Sequence, residues 1–234
     1  MLESKLSCVQ ERDYQNGKSP IRKIIGDVVS ASYKFIFRPT PYEKIRLSEL
    51  INLGHPTSVL EVGAGDDDFY KFVLRGNPFV RYLRSDISER QLSKTRDSGV
   101  QSLVCDNVFY PFRNASFDVV LSKCVIHHVD DPNPVLRKEA RISFLRAKMN
   151  LLSLGGRVFC ADVYDPVRNN MKGKFWHALK HRLILDEEEH HFLSTEEIKR
   201  HFIDAGLRRV GVDEVNTYKG VYFVAYGVKG GSRD

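Results

Sequence analysis

The sequence has few of the features that mark zinc modules, disulfide-rich domains or membrane spans. It has four cysteines in 234 residues, and no two of them have Cys-x-x-Cys spacing. We therefore expect free thiols and no metal site. No uninterrupted apolar run approaches the ~20 residues of a membrane-spanning helix, and the first twenty residues lack a signal-peptide hydrophobic region. These absences predict an intracellular, cytoplasmic protein.

The overall composition is that of one α/β domain. With 42% hydrophobic residues, the chain can bury one sizeable core. Apolar segments typical of strands alternate with helical ones, and no internal repeat interrupts them. The net charge of +6 is interleaved with 30 acidic residues, so it favours anionic partners only weakly.

The most informative segment is Ser58 to Phe69, which reads SVLEVGAGDDDF. An apolar, β-branched-rich run ends at Val62, as in a buried parallel strand. Gly63 and Gly65 follow, and they let the backbone turn sharply and approach a ligand without a Cβ in the way. A strand, a glycine turn and a following helix together predict a pocket for a nucleotide-type ligand, although a tight turn without ligand has a similar pattern.

The acids Asp66, Asp67 and Asp68 bear on the choice of ligand. A dinucleotide would place its pyrophosphate on this turn, where three carboxylates would repel it. S-adenosylmethionine carries no phosphate, and its methionine end holds an ammonium and a sulfonium, which tolerate an acidic turn. The charge pattern therefore favours S-adenosylmethionine as the cofactor.

At this motif the chain resembles the class I S-adenosylmethionine-dependent methyltransferases of the methyltransferase type 11 kind. The first motif of that family is acidic-x-Gly-x-Gly-x-Gly, and the corresponding positions here are Glu61, Gly63, Gly65 and Asp67. The third glycine is thus replaced by an aspartate.

Three further matches follow in the order that the family shows. A short strand ends in Asp86, about twenty-five residues after Glu61, where doubly wound folds place an acid for the ribose hydroxyls. Tyr-Pro-Phe at 110–112 precedes the strand-like Ser-Phe-Asp-Val-Val-Leu-Ser at 116–122. The resemblance implies that Ile87 packs on adenine and that the 104–107 segment receives its amino group. It implies a cofactor site of Glu61, Gly63, Ala64, Gly65, Asp86, Ile87, Asp106, Asn107 and Ser122.

The rest of the chain fits a doubly wound, Rossmann-like α/β fold with a seven-stranded, mostly parallel sheet and an antiparallel terminal strand pair. A helix is predicted over 134–154, ended by Gly155 and Gly156, with a fifth strand over 157–163. Ser194-Thr195-Glu196-Glu197 predicts a capping box at the start of another helix. Residues 208–215 and 218–228 are typical of the terminal pair.

We expect residues 46–234 to form the methyltransferase domain and residues 1–45 a helical segment that covers the cofactor pocket. The amphipathic stretch 18–38 could instead lie on an anionic membrane surface and gather a lipid-like acceptor. An insertion at about 164–193, rich in aromatic residues, is expected to line the acceptor. Its run of acidic residues and histidines at 186–191 indicates a solvated surface rather than a metal site.

His127 is the candidate catalytic residue. It follows the fourth strand, at a position where the family often has a Glu or His that faces the acceptor. An imidazole can accept a proton near neutral pH, whereas His128 is expected to project away. Packing of both histidines against neighbouring elements is the alternative.

The sequence thus predicts methyl transfer to an oxygen or carbon of a small-molecule, lipid-linked or saccharide acceptor. One alternative is a tRNA-modifying methyltransferase, because Val-Ile-His-His at 125–128 resembles wobble-uridine methyltransferases and basic residues near 172–182 could contact phosphates. Another is a catalytically silent member that binds cofactor or a partner, suggested by Asp67 in place of glycine.

Overall fold

The computed structural model describes residues 41–95, 100–106, 110–129, 131–164, 192–217 and 220–231. The predicted amphipathic helix over 18–38 and most of the predicted acceptor-side insertion lie outside these ranges.

Strands and helices alternate over most of the described chain. The strands are β1 Ser58–Val62, β2 Arg81–Asp86, β3 Gln101–Val104, β4 Phe117–Lys123, β5 Leu152–Tyr164, β6 Leu207–Thr217 and β7 Gly220–Lys229. The helices are α1 Pro41–Asn52, α2 Tyr70–Gly76, α3 Glu89–Ser93, α4 Pro134–Leu151 and α5 Thr195–Asp204, with a 3-10 turn at Ile126–His128. None of these helices is both long and apolar enough to cross a bilayer.

The strands form one seven-stranded sheet in the order β3-β2-β1-β4-β5-β7-β6. Five neighbouring strands pair in parallel, and β7 runs antiparallel to both β5 and β6. This topology confirms the predicted doubly wound sheet and its antiparallel terminal pair. The strand order reverses between β1 and β4, which is where ligands bind in open α/β sheets.

Two apolar layers cover the sheet, one on each face. On one face α4 and α5 pack through Leu145 and Phe202 against Leu60 and Val120 of the central strands. On the other face α1 contributes Leu47, and the start of α2 packs with it. All five residues of β1 are buried, and its apolar side chains reach both layers: Leu60 and Val62 lie in one and Val59 in the other.

Helix α4 is shorter than the sequence predicted. It ends at Leu151, and β5 begins at Leu152 and contains the Gly155-Gly156 pair that was expected to end the helix. Leu152 pairs with Phe117 and Arg157 with Val119, so the extra residues form a bulge in β5. The helix stops because Leu152, three residues before the first glycine, already pairs with Phe117 of β4.

The predicted capping box is confirmed at the start of α5. The Ser194 hydroxyl accepts a bond from the Glu197 amide at 3.2 Å, and the Glu197 carboxylate accepts one from the Ser194 amide at 2.8 Å. Two otherwise unsatisfied donors of the first turn are thereby paired.

Candidate functional site

The carboxyl ends of β1 and β4 form the edge of the sheet at which the predicted site residues gather. The turn at 63–65 follows β1, and the segment 124–128 follows β4. Because β1 and β4 are parallel neighbours, the two segments leave the sheet side by side. This edge coincides with the reversal of strand order, so the topology alone makes it the expected ligand crevice.

The two glycines of the turn serve different purposes. Gly63 has φ +68°, and a Cβ there would collide with the side chain of Val125. Gly65 has φ +56°, and a Cβ there would meet no atom within 4 Å. Gly63 therefore allows the turn to pack closely on the segment after β4, whereas the other glycine presents an open side to the crevice.

Asp86 lies against the glycine turn, as the sequence predicted from its place after β2. Its Oδ2 accepts a bond from the Gly65 amide at 2.8 Å, and its Oδ1 accepts one from the Ser88 amide at 2.8 Å. A carboxylate offers about four acceptor positions, so about two remain for a ligand diol. The next residue, Ile87, is 58% exposed. An exposed apolar side chain can pack on a base, and an acid beside it can accept bonds from ribose hydroxyls. The two residues together therefore suit a nucleoside ligand.

The carboxylates of the acidic turn are neutralised by lysines. Each acid pairs with a lysine within 3.2 Å: Asp66 with Lys94, Asp67 with Lys44 and Lys123, and Asp68 with Lys44. Burial raises the pKa of Asp67, but Lys123 and Lys44 outweigh it and lower that pKa to about 2. The prediction treated these acids as bare charges facing the ligand. The fold supplies counterions that the local sequence did not indicate.

Glu61 is fully buried rather than exposed at the crevice. Its Oε2 accepts a bond from the Tyr82 hydroxyl at 2.9 Å, and its Oε1 lies 3.1 Å from Lys123 Nζ. Burial and the Glu61 charge together raise the pKa of Tyr82 well above its usual value, so this phenol stays protonated and donates. The acid of the first motif thus holds Lys123, which also pairs with Asp67 of the turn.

The other predicted cofactor residues have different surroundings. Ala64 and Ser122 are both buried, and the Ser122 hydroxyl accepts a bond from Lys148 Nζ at 2.9 Å. Asp106 is exposed just after β3, and Asn107 lies outside the described residues. The roles of these four residues in binding a cofactor stay predictions.

His127 is buried on the 3-10 turn after β4, whereas His128 is exposed. The Nδ1 of His127 lies 2.7 Å from Oδ1 of Asp162 on β5, and its amide donates to Oδ2 at 3.3 Å. The Phe192 ring lies 5.3 Å from the imidazole, centroid to centroid. Sequence reasoning missed Asp162. Its one signal was an acid within the otherwise apolar segment 158–163 of β5.

Part of the chain is similar to known methyltransferases. A family model described as a methyltransferase domain matches residues 60–143. The malonyl-[acyl-carrier protein] O-methyltransferase of Neorickettsia risticii is 28% identical over 154 residues, which is 64% of this chain and 53% of that protein. The probable tRNA methyltransferase 9B of Mus musculus is 31% identical over 100 residues, which is 43% of this chain and 20% of that protein.

A solved methyltransferase structure has a similar fold. A SAM-dependent methyltransferase of Thermotoga maritima, described as a possible histamine N-methyltransferase, has a TM-score of 0.60 at 19% identity, covering 89% of this chain and 98% of that one. The chain shares the fold of this solved methyltransferase, and its residues 60–143 match the methyltransferase-domain model. It spans about half the length of the first curated relative and a fifth of the second.

An arginine that sequence reasoning also missed holds the glycine turn. Arg84 of β2 is fully buried, and its Nη2 donates to the carbonyls of Gly65 at 2.8 Å and Asp67 at 3.1 Å. Its Nη1 bonds the hydroxyl of Thr95. The sequence signal was a cation within the predicted strand that ends at Asp86, since an arginine is almost never fully buried unless it is paired.

Proposed function

We propose that this chain moves the methyl group of S-adenosylmethionine to an oxygen or carbon of a small-molecule, lipid-linked or saccharide acceptor. One observation carries the proposal: the glycine turn with Asp86 and the buried pair of His127 and Asp162 lie along the same carboxyl edge of the sheet. The first group suits a nucleoside cofactor, and the second suits proton transfer at the acceptor.

For the cofactor, the proposed site centres on Gly65 and Asp86, which contact one another. Gly65 leaves its side of the turn open, and Asp86 keeps acceptor positions for the two ribose hydroxyls. Ile87 is exposed beside them and would pack on the adenine, while Asp106 would receive its amino group. Arg84 holds the turn in place through the carbonyls of Gly65 and Asp67.

For the acceptor, the chemistry needs alignment and, where the nucleophile carries a proton, a base. Methyl transfer is an in-line displacement on an electrophile that the sulfonium already activates. The imidazole of His127 is the group that would take the proton. Its buried carboxylate partner favours acceptors with a proton to lose, such as a hydroxyl or an acidic carbon.

A tRNA acceptor is the second candidate. The name of the mouse relative supports it, as does the Val-Ile-His-His segment at 125–128. The basic residues expected to contact phosphates fall in 172–182, outside the described residues. A catalytically silent, cofactor-binding member is the third candidate, based on Asp67 at the third glycine position.

We also propose roles for two further segments of the chain and a location for the protein. Residues 1–45 would cover the cofactor pocket, or touch a membrane surface through 18–38, and residues 164–193 would line the acceptor. Cys105, Cys124 and Cys160 are free thiols, as expected in the reducing cytoplasm, to which we assign the protein.

The proposal is tested first by ligand-dependent thermal stability. S-adenosylmethionine and its demethylated product should each raise the unfolding midpoint, because a ligand that binds only the folded state stabilises it by mass action. A matched titration with NAD should leave the midpoint unchanged. A shift with NAD and none with either sulfur nucleotide at millimolar concentration would contradict the cofactor assignment.

Asp86→Ala should weaken the binding of S-adenosylmethionine at least tenfold without unfolding the domain. Hydrogen bonds to a charged group contribute about 1.5–3 kcal/mol, and two ribose hydroxyls would lose this acceptor. Calorimetric titration of wild type and variant measures the change, with Asp204→Ala at the end of α5 as the control. Unchanged affinity in a folded Asp86→Ala protein would place the ribose elsewhere.

A further inference from the structure

We infer that a groove at the amino-terminal edge of the sheet is a second binding site, which takes a small organic anion with a flat apolar part and a carboxylate or phosphate group. The groove has a volume of about 270 Å³, and the residues that line it include Arg81, Leu83, Pro111, Phe112 and Arg113. It lies at the opposite end of the strands from the cofactor crevice. The inference therefore does not depend on the proposed methyl transfer.

The position of the groove follows from the strands that reach it. Arg81, Gln101 and Phe117 all line the groove, and they are the first residues of β2, β3 and β4. Asp86 is the last residue of β2, so five steps of about 3.3 Å place it about 16 Å from Arg81 along that strand. A ligand in the groove would leave the cofactor crevice free, and it would not be the methyl acceptor.

Aromatic and apolar side chains give the groove a flat surface. Phe112 is half-buried between two other rings: its centroid lies 5.3 Å from that of Phe117 at an interplanar angle of 83°, and 6.4 Å from that of Tyr110 at 20°. Because its neighbours hold this ring, a ligand that packs on it pays little to order it. A cavity of about 150 Å³ holds benzene, so the groove has room for a ring of that size with a charged group attached.

Two arginines give the groove its charge. Arg113 is exposed, and its guanidinium has no hydrogen bond or ion pair with any residue that the structure describes. Arg81 Nη2 donates to the Ser116 carbonyl at 3.3 Å, and the guanidinium lies 5.9 Å from the centroid of the Phe117 ring. Within the described part of the chain, neither arginine pairs with a carboxylate and no acidic residue lines the groove. Both positive charges are therefore available to a ligand.

The cations at the cofactor edge differ in this respect. Lys44, Lys94 and Lys123 each pair with a carboxylate of the acidic turn within 3.2 Å. The guanidinium of an arginine is a planar fork whose donors match the oxygens of a carboxylate or a phosphate two at a time. Ligand pockets commonly join apolar walls to a few polar groups that fix orientation. An aromatic carboxylate or an aryl phosphate would satisfy the arginines and cover the ring.

The first test is calorimetric titration of the full chain at low ionic strength with four probes: phenyl phosphate, benzoate, benzyl alcohol and inorganic phosphate. We expect an aromatic anion to bind at least about fivefold more tightly than the neutral ring or the bare ion, since an exposed ion pair alone contributes little. The tighter of the two aromatic anions identifies a phosphate or a carboxylate as the preferred group. No binding of either at millimolar concentration, or equal binding of inorganic phosphate, would overturn the inference.

The second test locates the tighter aromatic anion with variants. Arg113→Ala and Arg81→Ala should each weaken its binding at least about fivefold, between the effects of an exposed ion pair and of a charge-assisted hydrogen bond. Arg200→Ala removes an exposed arginine of α5 that does not line the groove, and it should leave the affinity unchanged. Saturating S-adenosylmethionine should also leave it unchanged. Undiminished affinity in both groove variants, or displacement of the probe by S-adenosylmethionine, would place the anion outside the groove and overturn the inference.

Discussion

His127→Ala lowers methyl transfer by about 10²–10⁴-fold and leaves the affinity for S-adenosylmethionine unchanged; this is the largest effect that we expect from a single substitution. The imidazole is buried at the carboxyl end of β4 and bonded to Asp162, which suits proton transfer at the acceptor. The cofactor is expected to be held by other groups, Asp86 and the Gly65 amide, which bond one another. Turnover should therefore fall without loss of binding.

The matched control for this substitution is His128→Ala. His128 is the adjacent histidine on the same 3-10 turn, but its side chain is exposed. Its removal should change turnover by less than about threefold, since exposed side chains away from the chemistry contribute little. Single-turnover rates and calorimetric cofactor titrations on both variants separate chemistry from binding. Turnover of His127→Ala within about threefold of wild type would leave alignment of the acceptor as the mechanism.

Lys123→Met should lower the free energy of unfolding by about 3–5 kcal/mol, because removing one member of a buried ion pair leaves the other charge uncompensated. The charge left behind is that of Glu61, which is fully buried and lies 3.1 Å from the lysine nitrogen. Asp67 also loses a partner but keeps Lys44 at 2.7 Å. The cost should therefore arise mainly at Glu61.

Two further variants test that origin by urea denaturation at neutral pH. Adding Glu61→Gln to Lys123→Met removes the unpaired charge, so the double variant should recover part of the lost stability. Lys71→Met removes an exposed lysine 3.8 Å from Asp68, and we expect a change within about 0.5 kcal/mol. A Lys123→Met protein as stable as the Lys71→Met control would show that the charges at Glu61 and Lys123 are not coupled.

The elements that the sequence predicted well are those specified by local chemistry. β1 and its turn follow from an apolar run and two glycines that both adopt positive φ. The capping box at Ser194 and Glu197 depends on residues three positions apart. Asp86 was predicted because β1 and β2 are parallel neighbours in this kind of fold. Their ends lie side by side whatever residues connect the two strands. Such features need no knowledge of distant contacts.

What the sequence did not predict depends on pairing between distant segments. The counterion of the buried Glu61 is Lys123, and Asp162 of β5 contacts His127, which follows the neighbouring strand β4. No local spacing indicates either contact. The end of α4 was misplaced for the same reason: pairing with β4 ended the helix at Leu151, before the glycines did. Tertiary contacts outweighed the local stop signal.

The most direct measurement of the central claim is transfer of a labelled methyl group from S-adenosylmethionine to cell-extract fractions divided into RNA, lipid and small molecules. The account predicts label in the small-molecule or lipid fraction with the wild-type chain, and loss of that label with His127→Ala. Label in RNA alone would support the tRNA alternative instead. Cofactor binding without label in any fraction would contradict the proposed methyl transfer and leave a silent, cofactor-binding protein.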